Sequence, residues 1–125
     1  MITALAVALL LAHGLVHFAV WLPHPEPDPG KPAPFAPDHS AVLTKASVPQ
    51  TTARTLSTTL AVAAGVGFIL TGLAVAVDAD WVVPVAVYAS LLGLSLKVLF
   101  FNPWLLLGVL IDLGVLLAAA SWPWD

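Results

Sequence analysis

Cysteine is absent from the 125 residues. That excludes disulfides, thiolate metal ligands and thiol redox chemistry, and it leaves the redox compartment unreadable from this chain. Charge is nearly as scarce. Only 9% of residues are charged and four are Lys or Arg, for a net charge of −3, so there is no basic patch to hold nucleic acid. Phosphate-binding loops, nucleophile elbows and the HExxH zinc motif are also missing, which argues against an enzyme. What remains is apolar. A content of 60% hydrophobic residues and a mean hydropathy of +0.99 lie beyond ordinary water-soluble domains and point to an integral membrane protein.

Crossing a hydrocarbon core of about 30 Å takes about 20 apolar residues in a helix. Four such runs occur, at 2–22, 56–77, 81–101 and 103–122, and they predict an all-α bundle of four transmembrane helices in a single domain, 1–125. The first run has no basic residue before it and is too long for the apolar region of a secretory signal, so it is read as a retained helix. Asp80 is a candidate N-cap for span 3, with Pro84 in its first turn; Asn102 and Pro103 are the cap and first residue of span 4. The short links at 78–80 and 102 make spans 2, 3 and 4 antiparallel neighbours.

Spans 1 and 2 are joined by a long loop, 23–55, with eight prolines and three of the four basic residues. Its start, with proline at alternate positions from Pro23 to Pro29, predicts polyproline II, and its end leads helically into span 2 from about Pro49. His24, Glu26 and Asp28 splay apart in that conformation. Even with Asp38 and His39 added, the loop reads as a solvated linker rather than a metal site.

Lys31, Lys45 and Arg54 all lie in this loop, whereas the 78–80 turn and the termini carry no base. The positive-inside rule then makes the loop cytoplasmic and puts both termini outside the cell membrane. Trp21, Trp104, Trp81, Trp122 and Trp124 fall at span ends and are expected to be interfacial anchors. Lys97, near the cytoplasmic end of span 3, is expected to snorkel.

Polar groups inside the spans are few enough to treat individually. His13 and His17 share a helix face. At about 1.5 Å per residue His13 lies about 13 Å above the Trp21 end and Asp112 about 13 Å above Pro103, a common level near the midplane. His17 and Lys97 form a second layer about 6 to 8 Å from the same boundary. Gly108 and Ala119 flank Asp112, and Ala89 and Gly93 precede Lys97, so small residues let a neighbouring backbone approach each charge. Span 2 carries a stripe of Ser57, Ala61, Gly65 and Gly72, a close-packing face that also suggests self-association as a homodimer. A carboxylate at the bilayer centre is costly. Asp112 is therefore expected to have a polar partner, with His13 and His17 facing it.

"HGLVH" near the N-terminus together with "NPWLLLGVLIDLGVLL" in span 4 resembles a group of small four-helix actinobacterial integral membrane proteins. The resemblance implies the fold and no particular activity. Three readings stay open: proton- or ion-coupled transport through the Asp112/His13/His17 cluster, an accessory or assembly subunit whose polar groups only organise the bundle, and a metal- or haem-binding redox protein. For the third, His13, His17 and Asp112 are a conceivable metal set, although no cofactor is predicted outright. The lipid bilayer is the expected partner, with copies of the chain or other membrane subunits beside it.

Overall fold

The computed structural model describes residues 1–23, 30 and 36–121. The polyproline expectation, His24, Glu26, Asp28, Lys31, Trp122 and Trp124 lie outside the described residues. Within them the chain is helical: α1 Ile2–Trp21, α2 Ala41–Lys45, α3 Gln50–Ala76, α4 Val82–Leu99 and α5 Leu106–Ala120, the last entered through a 3-10 turn at Pro103–Leu105. Four of the helices, counting α5 with its 3-10 turn, are long and apolar enough to cross a membrane. In lipid the backbone must satisfy its own hydrogen bonds, and runs of Leu, Ala and Val do so as helices that are apolar all round.

The helices pack in series, α1 on α3, α3 on α4 and α4 on α5, while the α1 and α5 backbones stay apart. Glycine sets the closest crossing. A Cβ on Gly14 would lie 2.7 Å from the carbonyl oxygen of Gly65, and one on Gly65 would lie 2.9 Å from that of Gly14, so the α1 and α3 backbones touch. On the other side of α3 a Cβ on Gly67 would meet that of Ala89 at 2.8 Å. Ser57, Ala61, Gly65 and Gly72 are all buried in these contacts. The stripe that suggested self-association is used inside the chain.

At 27 residues α3 is the longest helix, about 40 Å by its rise, so it outreaches the hydrocarbon core. Its first turns meet the end of the long loop, which is not a solvated linker throughout. Ser40 caps α2 by accepting from Leu43 N–H, and its hydroxyl donates to the carbonyl of Leu99 at the end of α4. Arg54 on α3 donates to the Asp38 carboxylate at 2.9 Å, and the Gln50 side chain donates to the Asp38 carbonyl at 3.0 Å. Leu43 thereby reaches a core of Trp21, Ala53, Ala61, Leu96 and Phe100. The loop folds back as a lid on the bundle.

One expected anchor is buried instead. Trp21 is 1% exposed and packs edge-on against Phe100, at 6.1 Å between ring centres, in the core against which Leu43 of the returning loop also packs. Trp81 and Trp104 do stand exposed at helix ends. Asp80 is not the cap of α4. Trp81 takes that position without a side-chain cap, since Asp78 ends α3 in a left-handed conformation and the following turn winds directly into the next helix. Asn102 does cap, accepting from Trp104 N–H at 3.1 Å ahead of Pro103.

Candidate functional site

Helical side chains lean toward the N-terminus of their own helix, and this tilt assembles the polar cluster. The helix α4 runs toward the loop end of the bundle, so Lys97 leans away from that end and into the interior. Antiparallel α5 starts there, so Asp112 leans back toward Lys97. They meet at 2.8 Å between Nζ and Oδ2. Lys97 thus does not snorkel: its helix direction points the side chain away from the near interface, and it is 3% exposed.

Each helix makes room for the other's charge. A Cβ on Gly93 would fall 2.6 Å from Asp112 Oδ2, and one on Gly108 would fall 2.7 Å from Lys97 Cε. Both glycines precede the charged residue of their own helix by four positions. The other Asp112 oxygen takes a hydrogen bond from His13 Nε2 at 2.7 Å, and His17 Nε2 lies 3.0 Å from Lys97 Nζ. His17 Nδ1 is 2.9 Å from the carbonyl of His13. Phe68 of α3 backs both rings, edge-on to His13 at 4.6 Å and stacked with His17 at 5.4 Å.

These partners assign the protons. A carbonyl only accepts, so His17 carries its hydrogen on Nδ1 and offers Nε2 to the Lys97 ammonium. Asp112 is an ionised acceptor between two donors, Lys97 and His13 Nε2–H. Lys97 already balances Asp112, so a second buried cation would be uncompensated, which favours a neutral His13 whose Nδ1 no described residue bonds. The cluster sums to zero charge. Exposures of 6% for His13, 2% for His17 and 0% for Asp112 put all of it in the interior.

His13, His17 and Asp112 do bring ligand atoms within 4.8 Å of one another. The Lys97 ammonium, however, already bonds both Asp112 and His17, the two groups a metal ion would need. A divalent ion would have to displace it, so this donor set does not fit a metal as arranged. Phe68 and the Lys97 contact were not foreseen from the sequence. Ser90, three residues before Gly93, adds a buried hydroxyl without a hydrogen-bond partner among the described residues.

Two cavities flank the His13–Asp112 bridge along the α1/α5 seam. The one toward the loop end, about 300 Å³, is lined by His13, His17, Lys97, Trp104 and apolar neighbours. The one toward the 78–81 turn, about 360 Å³, is lined by apolar residues of four helices and the Thr71 side chain. No family model, curated protein or solved structure matches the chain. The geometry of the cluster alone therefore carries the functional argument.

Proposed function

We propose that this chain is an accessory or assembly subunit of a larger membrane complex, resident in the cell membrane, with the His13–Asp112–Lys97–His17 network as the clasp that sets its shape. Asp112 carries the reading: both carboxylate oxygens are bonded and its exposure is 0%. A carrier presents its intramembrane carboxylate to a solvated path, and ionisable groups that serve as relays face water-filled cavities. Here the cavities beside the carboxylate are walled mostly by apolar side chains. With the self-association stripe consumed, the exposed faces of α1 and α5 are the surfaces for neighbouring subunits. Lys45 and Arg54 at the loop end support a cytoplasmic loop and outside termini.

Proteoliposomes enclosing a pH-sensitive dye test this reading. Under a pH gradient the expected proton leak equals that of protein-free vesicles, and mild-detergent extraction from native membranes brings down further subunits in fixed ratio. Proton flux that disappears in the charge-neutral pair Asp112→Asn with Lys97→Gln would overturn it. That result would favour a second reading, proton coupling, for which the bare Nδ1 of His13 is the supporting observation.

A further inference from the structure

We propose that the α1/α5 seam is a binding site for an uncharged, long-chain membrane amphiphile whose head carries a hydroxyl, of the quinol or prenol class. The site stands whether or not the chain is an accessory subunit. The two cavities share Leu9 and Ile111 on their walls, so they lie end to end along the seam beside the His13–Asp112 bridge. Each is of small-molecule size, about 300 to 360 Å³.

The occupant follows from width, length and charge. A helix with its side chains is about 10–12 Å across. It cannot enter a seam whose walls are joined by a 2.7 Å hydrogen bond, whereas a single hydrocarbon chain can pass alongside. From Ala6 to Trp21 the two linings together follow α1 for about 22 Å at the helical rise, the length over which a head in one cavity and a tail in the other would lie. The polar floor lies in the cavity nearer the loop end, and the far cavity is apolar, so the molecule lies with its head toward Trp104 and its tail toward Val83 and Val115.

Protonation selects the head. Lys97 and Asp112 neutralise each other and both histidines are neutral, so a carboxylate, phosphate or ammonium head would add an uncompensated charge in a low-dielectric setting. The group left open is His13 Nδ1, an acceptor on a residue 6% exposed that lines the cavity. An acceptor requires a donor. A hydroxyl supplies one without charge, and a carbonyl does not.

Gly114 offers a clean probe, because it lines the far cavity and an added Cβ meets nothing within 4 Å. Gly114→Leu fills the tail site without touching the network or the helix crossings. The experiment is saturation binding of radiolabelled decylubiquinol to the full chain in phosphatidylcholine nanodiscs kept under reducing conditions, with protein-free discs as the blank. Decylubiquinone and dodecanol serve as competitors. The expected result is saturable binding at one per chain, with the quinone roughly tenfold weaker because His13 is left unpaired. Gly114→Leu should weaken binding roughly tenfold while circular dichroism stays that of the parent and melting is no lower. Dodecanol competing as well as the quinol assigns the site to simple long-chain alcohols; dodecanol failing to compete assigns it to quinols. Absence of saturable binding, equal affinity for quinone and quinol, or indifference to Gly114→Leu in a folded protein would overturn the site.

Discussion

The two ends of the bundle are held by different means. At the loop end a charged pair, two histidines, a buried tryptophan and a folded-back loop are locked together by named hydrogen bonds. At the other end Ala74, Val82, Val83, Ala86 and Ala119 meet through apolar contact alone, beside a cavity. In lipid, apolar contact is no better between helices than with acyl chains, so association relies on close fit and on polar bonds. The loop end has both. The difference teaches that nearly all of the specificity of this fold resides in one half of it.

The hardest test of that contrast removes the clasp. Asp112→Leu leaves Lys97 buried without its counter-charge and should cost about 3–5 kcal/mol in a denaturant titration in bicelles. Combining it with Lys97→Met should recover most of the loss, because an apolar pair of similar volume is tolerated where a lone charge is not. A single variant as stable as the parent would erase the distinction between the two ends.

Next in size is the α1/α3 crossing. Gly14→Val places side-chain atoms against the Gly65 carbonyl and the Ile69 side chain, and should lower stability by about 1–3 kcal/mol in the same titration. Ser40→Ala removes both the α2 cap and the tie to Leu99, with an expected loss of about 1 kcal/mol and faster proteolysis within 36–49. At the opposite end Gly114→Ala meets no neighbour and should stabilise by up to about 1 kcal/mol through helix propensity. A loss there would mean that the far cavity is packed more tightly than its walls indicate.

The smallest effect is a pH dependence of the lid. Partial burial is the largest single influence and pushes the Asp38 carboxyl up, but the hydrogen bonds from Arg54, Gln50 and the backbone, with the Arg54 charge, together outweigh it and hold the group below its ordinary value of 3.8. A depressed carboxyl stabilises the folded state above its unfolded value and loses that contribution as pH falls through the folded one. Protease protection of 36–49 should therefore weaken as pH falls below 3.8, and Arg54→Met, which leaves burial less opposed, should shrink the change.

The spans were legible because apolar length and the Asn102–Pro103 punctuation are local signals, written in consecutive residues. The common level of His13 and Asp112 was legible too, since helical rise converts residue number into depth. The burial of Trp21 was not legible because its core neighbours Ala53, Ala61, Leu96 and Phe100 come from distant parts of the chain, and no local pattern records that. The helix α2, five residues long, is held by Ser40 and Leu43 docking on other elements rather than by propensity. Lys97 differs: its distance to the nearer interface suggests snorkelling, but the antiparallel order of the helices fixes which way the side chain leans, and direction prevails over distance.

The pairing of Lys97 with Asp112 also bears on how the chain enters the bilayer. The two residues are fifteen positions apart, on helices joined by a short turn. A hairpin of α4 and α5 can close its ion pair before it leaves the insertion machinery, and so partition as an electrically neutral unit. The polar groups of α1 are histidines, which enter uncharged and can wait in lipid for their partners. Lys97 is made before Asp112, so release of α4 ahead of α5 would strand a cation in hydrocarbon. Release of α4 and α5 together would spare that cost, so the pairing favours entry of the two helices as one hairpin.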